Sequence, residues 1–239
     1  MYEMKRQITY SQVASDLKMD MAGLAHFFQD CTLFHSETIG KGLEEVQRSC
    51  TAWFLSGWQI EAERYPGFKE QITVRTWPYD FKGMYGYRNF DILDAGGRQI
   101  VKANSIWIFM DLKNMHPTRP SDQDLAGYDM EPKLEMEYAP RKIKIIEETY
   151  RSKDTGQTPI IVKNSFLDSN YHVNNGRYVA EAMDFIPEGK NVKKMRVDYR
   201  RAAALGDKMY PSVYVKDDIC QVVFLDEEGI PFVIIETSE

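Results

Sequence analysis

The sequence predicts an α+β fold in which one pattern, a helix followed by antiparallel strands, is written twice in tandem. Two matching hairpin signatures carry this first. Residues 90–111 and 220–239 each run a β-rich segment into Leu-Asp, a short turn containing glycine, and a second β-rich segment, so that Leu93-Asp94 answers Leu225-Asp226. Upstream of each hairpin lies another strand-like stretch, residues 58–77 and 197–215. Both carry a central glycine (Gly67, Gly206) closely followed by an acidic residue (Glu70, Asp207), as suits a strand end or bulge. Upstream again comes a helix. Residues 21–39 place Leu24, Phe27, Phe28, Cys31 and Phe34 at spacings of three and four. Residues 174–187 do the same with Tyr178, Val179, Ala182 and Phe185, and Pro187 marks a stop. A strand is expected before each helix, at 6–13 and 159–164. Between the repeats, residues 116–142 are polar and carry Pro117, Pro120, Pro132 and Pro140, which reads as a linker. The expected organisation is therefore a first half over 1–115, a linker over 116–142 and a second half over 143–239.

Composition narrows the function classes. With 43% hydrophobic and 28% charged residues, the 239-residue chain is ordinary for a globular protein and long enough for a sizeable core. Cys31, Cys50 and Cys220 are scattered and odd in number, with no Cys/His cluster, which argues against a disulfide framework or zinc site and for a reducing compartment. A net charge of −6 makes nucleic acid a poor partner. The first residues hold no apolar run of the secretory kind and no segment is long enough to span a bilayer, so the cytoplasm is the expected location. Basic residues cluster at Arg141, Lys142 and Lys144 and again at Lys190, Lys193, Lys194, Arg196, Arg200 and Arg201. These read as a solvated surface or as a docking patch for an acidic partner.

Of the four histidines, His26 and His35 sit among apolar neighbours on the first helix and read as packed or surface residues, and His116 precedes a proline in the linker. His172 stands in the run Asp168-Ser169-Asn170-Tyr171-His172-Val173-Asn174-Asn175, which joins a strand to a helix. Helix capping explains one or two of these polar residues. It does not explain Asp, Asn, His and two further Asn together, so the run reads as a functional site. The corresponding stretch of the first half, residues 15–23, keeps Asp16 and Asp20 but lacks a histidine and the paired asparagines, which points to one working and one structural half.

The chain resembles the acyl-acyl-carrier-protein thioesterases over nearly its whole length. Residues 53–77, the segments Tyr87-Arg88-Asn89-Phe90-Asp91 and Ala103-Asn104-Ser105-Ile106-Trp107, the D-x-N-x-H-V-N-N pattern at 168–175 and the Y-R-R strand Tyr199-Arg200-Arg201 carry the resemblance. It implies a double hot-dog fold, each half a long helix on a curved antiparallel sheet, with catalysis in the second half. It also implies acyl carrier protein as partner, a fatty acyl thioester as substrate, and no metal or organic cofactor. Asp168, Asn170 and His172 receive catalytic roles, and Asn174, Asn175 and Gly176 are expected to meet the substrate. The physics suits a thioester. Amides at a helix N-terminus stabilise an oxyanion, the Asn170 amide adds a donor or orients water, and His172 passes protons near neutral pH.

One departure stands out. The family usually has a Glu after Y-R-R, followed in plants by a Cys, whereas this chain continues Ala202-Ala203-Ala204. A cysteine mechanism therefore has no support, and either Asp168 is expected to activate water, with Asp198 as a weaker substitute, or turnover is expected to be low. The alternatives are an acyl-coenzyme A thioesterase, a hot-dog dehydratase, and a non-catalytic acyl-carrier-binding module. Trp53, Phe54, Trp58, Trp77, Tyr85, Trp107 and Phe109 of the first half line an acyl pocket or form ordinary core. The tandem halves make a monomer or a homodimer the expected state.

Overall fold

The computed structural model describes residues 1–152 and 158–239. The elements run in the order β1 (Tyr2–Gln7), α1 (Met21–Thr38), α2 (Leu43–Ser49), β2 (Thr51–Ala62), β3 (Gln71–Lys82), β4 (Tyr85–Asp94), β5 (Gln99–Asp111), β6 (His116–Pro117), α3 (Asp122–Leu125), β7 (Ile160–Ile161), α4 (Asn175–Met183), β8 (Lys194–Tyr199), β9 (Lys208–Lys216), β10 (Ile219–Leu225) and β11 (Pro231–Ser238). Residues 1–56 and 60–139 form one compact unit; residues 57–59 and 140–239 form the other. No helix among the described residues is long and apolar enough to cross a membrane.

In the first unit the strands lie in the order β1-β3-β4-β5-β2, with β6 paired to β5. Helix α1 buries Leu24, Phe27, Phe28 and Cys31 of the expected apolar face, but Phe34 at the end of that face is exposed and its neighbour His35 is buried instead; the Phe28 ring lies 4.9 Å from that of Phe90 of β4, tilted by 45°. Asp20 caps α1 by accepting the Gly23 amide at 2.8 Å. Across the β3–β4 pair, Arg75 grips the fully buried Asp91 with two hydrogen bonds, Nε to Oδ1 at 2.7 Å and Nη2 to Oδ2 at 2.5 Å. The proline-bearing connection is fastened to this sheet. Asn89, fully buried in β4, accepts the Leu134 amide and the Tyr138 hydroxyl, both at 3.0 Å, and Trp77 Nε1 donates to the Pro132 carbonyl at 2.9 Å.

The second unit orders its strands β8-β11-β10-β9-β7. Its incoming segment is held in the same manner. Asp198 accepts the Ile143 amide at 2.9 Å, while Gln221 accepts the Ile146 amide and donates to the Lys144 carbonyl. Ile143 then packs with Tyr214, Val223 and Ile234.

The paired hairpin signatures fold alike. Asp94 Oδ1 accepts the amides of Gly96 and Arg98 at 2.9 and 3.0 Å; Asp226 Oδ1 accepts those of Glu228 and Ile230 at 2.9 and 2.8 Å. Gly97 and Gly229 follow with φ of 81° and 79°, a conformation open to glycine at no steric cost. Each aspartate also pairs with an arginine, Arg64 or Arg201.

The structure corrects several element boundaries. The strand expected at 6–13 is β1 at Tyr2–Gln7, because Thr9 and Gln12 close a capping box that starts a one-turn 3₁₀ segment. The strand expected at 159–164 shrinks to Ile160–Ile161, with a 3₁₀ turn over Asn164–Phe166. The stretches 58–77 and 197–215 each contain two strands separated by a loop, and the helix expected to reach Pro187 ends at Met183. Helix α2 was not foreseen; its seven residues bury no side chain, so no apolar stripe marks it.

Candidate active site

The run 168–175 is a tight loop entering α4. The Asp168 amide donates to the His172 carbonyl at 2.8 Å, and the Tyr171 amide to the Asp168 carbonyl at 3.1 Å. Asp168 Oδ1 accepts the amides of Asn170 at 2.8 Å and His172 at 3.3 Å, an Asx turn that spends one carboxylate oxygen on the backbone. Its Oδ2 makes no hydrogen bond among the described residues. Tyr171 takes up the left-handed conformation, φ 60°, and is 80% exposed. His172 bridges to Ala204, and the Val173 amide donates to the Ala203 carbonyl at 2.9 Å, so the loop lies against the segment that follows Y-R-R. Asp168 and His172 are half-buried and Asn170 is exposed. No hydrogen bond joins these three side chains among the described residues.

The first half contains the same loop. The Ala14 amide donates to the Lys18 carbonyl at 2.8 Å, the Leu17 amide to the Ala14 carbonyl at 3.0 Å, and Leu17 has φ 61°. Lys18 bridges to Gly67, as His172 does to Ala204. Asp20 then caps α1 where Asn174 caps α4. Backbone equivalence therefore sets Ala14 against Asp168, Asp16 against Asn170 and Lys18 against His172. In the first half Asp16 accepts the Lys18 amide at 3.0 Å, doing from the middle of the turn what Asp168 does from its start.

At the N-terminus of α4 the amides are not equally available. Gly176 N–H, in a buried residue, goes to the Asn174 side chain at 2.9 Å. The amides of Arg177 and Tyr178 reach back to the Asn174 carbonyl at 2.9 and 3.4 Å, and that of Asn174 goes to Phe166. The Asn175 N–H is left without an acceptor among the described residues. The sequence reading expected a set of helix amides, and it missed that the cap consumes most of them. It also missed two tyrosine braces: Tyr178 OH accepts the Ala203 amide at 2.8 Å and Tyr199 OH donates to the Asn175 carbonyl at 2.9 Å. Tyr178 reads in the sequence as part of an apolar helical face, which conceals the task of its hydroxyl.

The chain matches the acyl-ACP thioesterase N-terminal domain over residues 1–128 and the acyl-ACP thioesterase C-terminal domain over residues 149–227. It belongs to the acyl-ACP thioesterase family. A chloroplastic acyl-[acyl-carrier-protein] hydrolase of Cuphea viscosissima is 27% identical over 207 residues, covering 80% of this chain and 49% of the relative. The chloroplastic oleoyl-acyl carrier protein thioesterase 2 of Arabidopsis thaliana is 26% identical over 204 residues, covering 77% and 54%. The chain thus spans about half the length of the curated relatives it matches. The crystal structure of an acyl-ACP thioesterase from Bacteroides thetaiotaomicron and the solved structure of a 12:0-ACP thioesterase from Umbellularia californica share its fold. Their TM-scores are 0.86 and 0.85 at 22% and 18% identity, each covering 99% of this chain and 96% of the other. The fold is the double hot-dog expected from the sequence.

Other residues singled out for family chemistry have structural employment. Asp198 is fully buried in β8, its Oδ2 paired with Arg200 at 2.7 Å and accepting the Ile143 amide at 2.9 Å, which gives it an anchoring part, while its buried Oδ1 accepts no hydrogen bond among the described residues. Burial pushes the Cys31 thiol up to about 12 and raises that of Cys220, so neither supplies a ready thiolate. Of the basic residues read as a docking patch, Arg196, Arg200 and Arg201 bond within the second unit to Glu236, Asp198 and Asp226. Lys142, Lys144, Lys193 and Lys194 are exposed. Among the aromatic residues of the first half, Trp58, Trp77 and Phe109 are core, and Trp53 and Trp107 line a pocket.

Proposed function

We propose that the chain hydrolyses fatty acyl thioesters carried on acyl carrier protein, releasing the free acid and the carrier thiol, with the loop 168–175 as its working site. The observation that carries this reading is the chemical inequality of one loop built twice: Asp168, Asn170 and His172 in the second half replace Ala14, Asp16 and Lys18 of the first. Membership of the thioesterase family supports it.

In this reading the thioester carbonyl approaches the start of α4. The oxygen that gains charge on attack is met by the unpaired Asn175 N–H and by the Asn170 side-chain amide. Water held at Asp168 Oδ2 attacks the carbonyl carbon, and its proton passes to the base formed by Asp168 and His172. The carbon–sulfur bond breaks and the thiolate leaves with a proton returned through His172. Asn174 holds the helix start in place and leaves Asn175 free. Asp168 takes the water-activating part, because Ala202, Ala203 and Ala204, where the family usually has a Glu, offer no acid–base group. The exposed lysines Lys142, Lys144, Lys193 and Lys194 suit an acidic carrier.

The test is thiol release by the purified chain from acyl chains of matched length on acyl carrier protein and on coenzyme A. Faster release from the carrier protein is the expected result. Equal or faster release from coenzyme A would reassign the carrier, and no release from either would remove the hydrolase reading.

A further inference from the structure

One cation of the first unit is buried without a counter-charge. Arg88, in the middle of β4, is 6% exposed, and burial lowers it only to about 10, so it stays cationic at physiological pH. Its Nη1 donates to His35 Nδ1 at 2.9 Å and to Thr76 Oγ1 at 3.1 Å. Among the described residues no carboxylate pairs with it, and its Nε and Nη2 donate no hydrogen bond. His35 is neutral, because burial and then the Arg88 charge pull it down to about 4. Asp91, three residues on, is spent on Arg75 and Gln99. A buried charge in neutral company is costly, and such groups are normally paired.

Arg88 also lines a small space of about 30 Å³ beside Ser36, Trp53, Phe81, Trp107 and Tyr128. That is room for one or two particles the size of water, and too little for a chain or a large polyatomic anion. A further donor stands at the same space. Ser36 Oγ and Tyr128 OH share a single hydrogen bond of 2.9 Å, which uses only one of their two hydroxyl hydrogens. A water molecule would satisfy these donors and leave the charge of Arg88 unbalanced; a monatomic anion does both. We propose that the first unit binds a halide ion, chloride in ordinary media, held by Arg88 Nε and Nη2 and by the remaining hydroxyl hydrogen of the Ser36–Tyr128 pair. The ion neutralises the buried guanidinium and stabilises the unit by mass action. This site depends neither on the loop 168–175 nor on the activity proposed for it.

Bromide is the probe, since this heavy ion quenches tryptophan fluorescence on contact and Trp53 and Trp107 wall the site. The full chain is titrated with sodium bromide while sodium gluconate holds the ionic strength, and with it the screening, constant. Quenching is expected to saturate and to be reversed by chloride, a far weaker quencher. Arg88→Met is expected to raise the half-saturating bromide concentration about tenfold or more, the share of a charge-assisted hydrogen bond. Gly86→Ala keeps the cation and takes the space. A Cβ there stands 3.0 Å from Trp53 Cζ3 and 3.2 Å from Phe81 Cε1, so saturable quenching is expected to be lost. Circular dichroism checks the fold of each variant. If Arg88→Met fails to fold, Gly86→Ala decides, and if neither folds, the wild-type titration with its chloride reversal decides. Purely linear, collisional quenching, quenching that chloride does not reverse, or wild-type half-saturation in either folded variant overturns the proposal. Because the readout is binding, a failed hydrolysis assay leaves it untouched, and the reverse holds.

Discussion

His172 and Lys18 occupy the same place in one loop built twice. Each bridges to a neighbouring segment, Ala204 or Gly67, and each follows a left-handed residue, Tyr171 at φ 60° or Leu17 at φ 61°. The backbone geometry therefore belongs to the fold, and the two loops differ in their side chains. Lys18 also proves that a lysine is tolerated at this position. Replacing Lys18 by alanine is predicted to leave thioester hydrolysis within about twofold of wild type, since a surface substitution of this kind perturbs little. A steady-state rate comparison checks it.

Asp168 serves both the loop and the proposed chemistry, and two variants separate the roles. Asp168→Asn keeps an acceptor oxygen for the Asn170 and His172 amides but loses the charge. Its melting temperature should stay close to wild type while kcat falls on the order of 100-fold or more. Asp168→Ala should lose kcat similarly and also cost about 1 kcal/mol of stability through the lost Asx turn. Denaturant unfolding beside kinetics distinguishes them; an Asp168→Asn variant with near-normal kcat would return Asp168 to a purely structural part.

Asn174 caps α4 through the Gly176 amide. Asn174→Ala is predicted to cost about 1 kcal/mol, whereas Asn174→Asp and Asn174→Ser, which also accept from that amide, should retain most of it. Urea midpoints for the three variants measure this directly.

The His35–Arg88 pair predicts a pH dependence. Burial and the Arg88 charge lower His35 from 6.5 to about 4. The unfolded chain gains a proton below about 6.5 that the folded chain refuses until about 4. Stability is thus fully present above that window and declines as pH falls through it, by on the order of 3 kcal/mol at most. In His35→Asn the slope of unfolding free energy between pH 7 and 5 should be visibly shallower. An unchanged slope would mean that other groups carry the dependence.

The sequence disclosed what is local. The Leu-Asp-to-glycine hairpins were legible because Asp94 and Asp226 act on amides two and four residues ahead, and the helices because their apolar faces repeat every three to four residues. The doubled loop was legible only as a loss of polar residues. Residues 15–23 keep Asp16, which invites pairing with Asp168, yet the backbone sets Asp16 against Asn170 and Ala14 against Asp168. Such a shift is written in hydrogen bonds rather than in residue types. Nor does sequence spacing disclose that Asn174 takes the Gly176 amide and leaves Asn175 free, that Asp198 is anchored to Ile143, or that Arg88 meets His35, 53 residues away. These relations depend on strand register and burial, which periodicity does not specify.

The central claim is that the side chains of the second loop, not its backbone, make the site. The most direct measurement is kcat for thiol release from an acyl-acyl carrier protein by His172→Lys, which installs in the second half the residue that the first half already carries there. The claim predicts a folded protein, by circular dichroism and thermal midpoint, with turnover reduced about 100- to 10,000-fold. A folded His172→Lys that hydrolyses at close to the wild-type rate would contradict it.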